Sequence, residues 1–140
     1  MKTPLERRHA AIEATMAKYR DRPFAWGKVD CARVGAFHLK QLGHKISISR
    51  GGSYTSALGA QRAIKKFGVT TLPELIESLG LTEIPYSRML LGDLAQIEGD
   101  SPIGTIGIYT SNGNLFGFHQ DHPGLVTLQP HNILRAWSVL

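Results

Sequence analysis

Pro23-Phe24-Ala25-Trp26-Gly27-Lys28-Val29-Asp30-Cys31-Ala32 holds the only cysteine of the chain. Asp30 is a helix-capping residue type and the stretch after it reads as helical, so Cys31 is expected in the first turn of a helix. There the free backbone N–H groups and the helix dipole favour a thiolate. The competing reading is a small buried side chain, since free cysteine is among the most buried residue types. Phe24 and Trp26 read as packing anchors that fix the loop ahead of the thiol. Asp30 reads as the cap and no more, because a carboxylate beside a thiol disfavours the thiolate.

Working outward from this stretch, residues 5–20 place Leu5, Ile12, Met16 and Tyr19 among charges, the pattern of an amphipathic helix. Arg20-Asp21-Arg22-Pro23 ends it, because the residue before a proline is pushed out of the helical region. Residues 31–42 form the second helix, with Val34, Phe37 and His38 on one stripe and Gly43 as its stop. Residues 46–54, with Gly51-Gly52, read as a loop. Thr55 or Ser56 caps a third helix running to Phe67, ended by Gly68. Thr71-Leu72-Pro73-Glu74 is a capping-box sequence for a short fourth helix to Leu79, stopped by Gly80.

After residue 90 the period changes from helix to strand. Leu94 to Ile97, Ile103 to Thr110, Leu115 to His119, Gly124 to Leu128 and Ala136 to Val139 read as five strands. Asn112-Gly113 between the second and third is a two-residue hairpin signal, since both residue types tolerate positive φ. Helices first and an antiparallel sheet second define one α+β domain over 1–140, with the N-terminal helices packed on the C-terminal sheet.

The 140 residues suffice for one core, and 42% apolar content is that of a globular protein. One cysteine excludes an internal disulfide and argues against a thiolate zinc site, so no cofactor and no metal is expected. No apolar run is long enough to span a membrane. The N-terminus lacks a signal-peptide core, so a cytoplasmic start is expected. The net charge of +5 is uneven: residues 1–66 hold 14 Lys/Arg against 4 Asp/Glu, and residues 67–140 hold 2 against 7. The basic residues are scattered along helices with no nucleic-acid-binding signature, so a solvated surface or a dock for an acidic neighbour is expected.

Trp26-Gly27-x-x-Asp30-Cys31, then Leu91-Gly92-Asp93-Leu94, then Ile106-Gly107-Ile108-Tyr109, resembles the NlpC-type branch of the papain-like cysteine peptidases. Those domains place a cysteine at a helix start, a Gly-Asp-Leu turn entering the sheet, and a Gly-Ile-Tyr strand beside the active site. More closely, the chain resembles a small family found in tailed bacteriophages and gene transfer agents. That family shares Arg-Pro-Phe-x-Trp-Gly-x-x-Asp-Cys (Arg22 to Cys31), Gly-x-Tyr (Gly52 to Tyr54), a Gly-Asp turn and Arg-Ala-Trp (Arg135 to Trp137). The resemblance implies an NlpC-type papain-like fold and amide-bond chemistry on cell-wall peptide. In such enzymes a thiolate attacks the carbonyl and a histidine takes the thiol proton and later protonates the leaving amine. A third polar group orients that histidine.

The pattern departs at the base. NlpC-type enzymes carry it in the order His-x-Gly-Ile-Tyr, and this chain has Thr105-Ile106-Gly107-Ile108-Tyr109. A hydroxyl cannot act as a base near neutral pH. The orienting position falls near Gly117, which has no side chain. His119, two residues on and so on the same strand face, is the replacement candidate, with His122 beside Asp121 second. His119-Gln120-Asp121-His122 lacks a third firm metal ligand. His38, two turns along the Cys31 helix, reads as a core histidine. His9, His44 and His131 read as surface or loop residues. Asp93 reads as a turn former and Trp137 as core. Tyr54 is a hydrogen-bond partner near the thiol or a loop-packing residue.

Two functions follow from the resemblance. The expectation is a structural phage tail or tail-tip component with a degenerate catalytic site. Its partners would be other tail proteins, and it would pass from the host cytoplasm during assembly to the virion tail. The alternative is an active cysteine hydrolase cutting peptidoglycan stem peptides with Cys31 and a displaced base, His119. Neither nucleic acid nor a membrane span is expected.

Overall fold

A computed structural model of the chain describes residues 1–111, 113–118, 125–129 and 132–140. Helix α1 spans Pro4–Tyr19, α2 Cys31–Gln41, α3 Ala57–Lys65 and α4 Leu72–Ser78. Six strands follow α4: β1 Thr82–Ile84, β2 Leu94–Ile97, β3 Thr105–Ser111, β4 Asn114–Phe118, β5 Leu125–Leu128 and β6 Ile133–Ser138. They form one antiparallel sheet in the order β1-β6-β2-β3-β4-β5. The α+β class and the helices-then-sheet order agree with the sequence reading.

Each helix begins where its capping chemistry places it. Asp30, Ser56 and Thr71 accept from backbone N–H groups three residues ahead. At Thr71 the box is half formed: Glu74 Oε1 accepts from the Thr70 and Thr71 hydroxyls. The complete capping box is at α1, where Thr3 and Glu6 bond each other's backbone N–H. Thr3-Pro4-Leu5-Glu6 carries that signal, and the sequence reading passed over it.

The core lies between the helices and one face of the sheet. Ile12, Val34, Leu39, Ile64, Leu75, Leu94, Ile108, Phe116 and Trp137 are buried there. Two expectations for α1 are corrected. Leu5 is 66% exposed, and Arg8, a charge, is buried. Arg8 Nη1 meets Asp93 Oδ1 at 2.7 Å and the Leu91 carbonyl at 2.8 Å. Asp93 also accepts from the Leu90 N–H (2.8 Å) and the Val139 N–H (3.0 Å). The Gly-Asp-Leu turn is therefore tied to α1 and to the end of β6, and Asp93 is a turn former as expected.

The sheet departs from the expected strands: β3 begins at Thr105 rather than Ile103. β6 begins at Ile133, three residues early, because Ile133 and Arg135 pair with Ile97 and Gln96. The three-residue edge strand β1, which pairs with Ala136–Ser138, was not foreseen; it is too short to show a period. The β3–β4 hairpin is as expected: Ser111 pairs with Asn114 and Gly113 has φ 79°. Asn112 lies outside the described residues. Among the described residues, no helix is long and apolar enough to cross a membrane.

Candidate functional site

The stretch ahead of Cys31 closes on itself. Ala25 and Val29 exchange backbone hydrogen bonds at 2.9 and 2.8 Å, with Gly27 at φ 78° between them. Asp30 then does three jobs at once. Oδ1 caps α2 through the Arg33 N–H (2.9 Å), while Oδ2 accepts from the Gly27 N–H (2.8 Å) and the Tyr54 hydroxyl (2.7 Å). The Arg33 guanidinium reaches the Gly52 carbonyl at 3.1 Å. The Gly52–Tyr54 segment is thus clasped to the loop that presents the thiol. Gly27 is required by space as well as by φ: a Cβ there would stand 2.1 Å from the Tyr54 carbonyl oxygen. Tyr54, expected beside the thiol or as loop packing, spends its hydroxyl on the cap carboxylate. Burial and that carboxylate push its phenol well above the usual range.

Cys31 opens α2 as expected, at the wall of a cleft of about 610 Å3. Phe24, Trp26 and Phe118 form its aromatic side. They meet edge to face, Phe24 to Trp26 at 4.8 Å and Phe24 to Phe118 at 5.1 Å. Leu72, Ile97 and Ile103 add apolar lining, and the loop Glu98-Gly99-Asp100-Ser101-Pro102 also borders it. Thr105, the position where the resembling enzymes carry their base, lines the same cleft as Cys31.

The expected thiolate does not follow. Burial pushes the Cys31 thiol up to about 11, and the Asp30 charge adds to the rise. The hydrogen bonds from the Ile106 backbone and the helix start pull the other way and are outweighed. Desolvation outweighs them although Cys31 is only half-buried at the cleft wall. Among the described residues, no histidine lines the cleft.

The described histidines have structural roles. His38 is fully buried, its Nε2 2.8 Å from the Gly92 carbonyl and its Nδ1 3.2 Å from the Thr15 hydroxyl. Burial lowers its pKa, against the opposing pull of the Gly92 carbonyl. It is the core histidine the sequence suggested. His44 Nε2 donates to the Val139 carbonyl at 2.7 Å, and His9 is exposed beside Glu13. His119, the replacement base expected from sequence, and His122 and His131 lie outside the described residues. Phe118, which precedes His119 in the chain, borders the cleft. Among the described residues, no group of three or more His, Cys, Asp or Glu side chains is gathered to hold a metal ion.

The Arg-Ala-Trp segment is also structural. Arg135 pairs with Glu77 of α4 and with Glu83 of β1, the latter at 2.6 Å, and lies over the Trp137 ring at 5.1 Å. Trp137 is fully buried. The residues the sequence reading passed over are Glu98 and Asp100. Their signal was two acids in a Gly-Ser-Pro turn between β2 and β3. No curated protein matches the sequence. The model of a family described as a domain of unknown function, DUF6950, matches residues 3–139, and the chain belongs to that family.

Proposed function

We propose that this protein is a catalytically degenerate, NlpC-type peptidase-like domain that serves as a structural component of a phage tail or tail tip. One observation carries the degenerate reading: Cys31 and Thr105 share a cleft that, among the described residues, no histidine lines. Thr105 cannot take the thiol proton, and the Asp30 carboxylate opposes its loss. The tail placement rests on the resemblance of Arg22 to Cys31, Gly52 to Tyr54 and Arg135 to Trp137 to phage and gene-transfer-agent proteins. On this reading the chain is made in the host cytoplasm, enters the virion tail, and keeps the cleft as a binding surface for neighbouring tail proteins.

The test is the pH dependence of Cys31 alkylation by iodoacetamide, which a single cysteine makes unambiguous. The expected profile rises only in strongly alkaline solution, with a midpoint near 11. Incubation with peptidoglycan stem peptides is expected to release no new amine. A midpoint well below about 8.5 together with stem-peptide cleavage would overturn the reading. The second reading, an active hydrolase on peptidoglycan with His119 as base, draws on the place of Phe118 at the cleft. It requires that cleavage be present and be lost in His119→Ala.

A further inference from the structure

The cleft has the opposite sign to the chain that carries it. The protein is +5 overall, with 16 Lys/Arg against 11 Asp/Glu. Among the described residues, the cleft is bordered by Asp30, Glu98 and Asp100 and by no Lys, Arg or His. Asp30 is spent on three internal donors. Glu98 and Asp100 are exposed on the β2–β3 loop, and Glu98 accepts from the Asn132 side-chain amide at 3.1 Å. The same cleft is lined by Phe24, Trp26 and Phe118. Aromatic faces attract cations, and carboxylates at the mouth of a low-dielectric cleft focus the field on whatever enters it.

We propose that the Cys31 cleft is a cation-selective groove that receives a Lys or Arg side chain of a partner polypeptide, which deepens the non-catalytic reading above. The long side chain would lay its methylene stem on the apolar lining and carry its charge to the loop carboxylates. The volume, about 610 Å3, exceeds one side chain and admits the flanking residues of a peptide. Gln129 and Asn132 at the border offer amides for the partner's backbone. Phosphate-bearing partners are disfavoured by the same carboxylates.

Cys31 is a built-in reporter of the local potential. The experiment compares its modification rates by three methanethiosulfonates of similar size: trimethylammonioethyl (cationic), hydroxyethyl (neutral) and sulfonatoethyl (anionic). Each rate is divided by that for a small free thiol. The ratio between reagents cancels the thiolate fraction, so it is independent of whether Cys31 is activated. The expected order is cationic, neutral, anionic, with about a tenfold span at low salt that shrinks as salt is added. Glu98→Gln with Asp100→Asn is expected to flatten that order while the folded circular dichroism spectrum is kept. A second arm asks whether acetyl-Gly-Arg-Gly-amide slows the neutral reagent at least about twofold, as a side chain occupying the cleft would, when its citrulline counterpart does not. A flat order in the native protein, an order that survives the double substitution, or equal effects of the two peptides would overturn the proposal.

Discussion

Replacing Asp93 by asparagine keeps the shape of the side chain and removes its charge at a site where both oxygens are used. Oδ1 accepts from Arg8 at 2.7 Å and from the Val139 N–H at 3.0 Å, and Oδ2 accepts from the Leu90 N–H at 2.8 Å. An amide has one acceptor. If it keeps Arg8 and Val139, its NH2 points at the Leu90 N–H, donor against donor; if it turns over, two bonds are lost. A stranded buried donor costs about 1–3 kcal/mol. The larger effect is the Arg8 guanidinium, 6% exposed, left without a counter-charge. Breaking a buried pair from one side costs about 3–5 kcal/mol. The two contributions overlap, so Asp93→Asn is expected to destabilise by about 4 kcal/mol, a large share of the roughly 5–15 kcal/mol of a domain this size. Urea unfolding followed by far-ultraviolet circular dichroism measures it, as a midpoint lowered by about 2 M at unchanged slope. The double variant Arg8→Met/Asp93→Asn removes the stranded charge and is expected to recover at least about 1 kcal/mol of the sum of the single effects. A loss below about 1 kcal/mol for Asp93→Asn, or strict additivity in the double variant, would refute the assignment of Arg8 and Asp93 as a buried, mutually dependent pair.

Three further outcomes are expected. Gly27→Ala places a Cβ 2.1 Å from the Tyr54 carbonyl oxygen in a φ 78° backbone, which parts the clasp and lowers Tm by roughly 10 °C in a thermal scan; a shift under about 3 °C would show that the loop yields freely. His38 has a folded-state pKa below its unfolded value, chiefly through burial, so the unfolded state binds more protons as pH falls through the mid-sixes and below. Its contribution to stability is therefore full above the unfolded pKa and is lost on acidification; His38→Gln should unfold with a weaker pH dependence between about 7 and 5, and an identical slope would contradict this. Thr105→His puts an imidazole where the cleft already holds Cys31, and should move the alkylation midpoint down from about 11, because an imidazolium beside the thiol favours the thiolate. An unmoved midpoint would mean that position 105 does not address the sulfur.

The helices were legible because each is announced locally. Asp30, Ser56 and Thr71 cap, Gly43, Gly68 and Gly80 follow, and both kinds of signal act over a few residues. The β3–β4 hairpin was legible for the same reason. β1 and the first half of β6 were not, because their pairing is decided by partners far away in sequence, and neither segment alternates. At the site, the placement of Cys31 and Thr105 could be read, since strand order and helix start fix both. For the thiol the sequence left two readings open, because the helix start favours a thiolate and burial opposes it, and depth is a tertiary property. Arg8 shows the same limit: nothing in α1 marks one arginine among several as the partner of a carboxylate 85 residues away.

The sheet order has a consequence for how the chain is made. β6 is the last strand in chain order, yet it lies between β1 and β2. Until it emerges, β1 has no partner in the sheet and β2 shows one bare edge to whatever else is in the compartment. The five earlier strands cannot close into their final arrangement before β6 is made, and the Val139 N–H that completes the Asp93 carboxylate arrives later still. Assembly of the whole domain thus waits on its final residues, and a ribosome that stalls before residue 133 leaves an open, aggregation-prone sheet rather than a slightly shortened one.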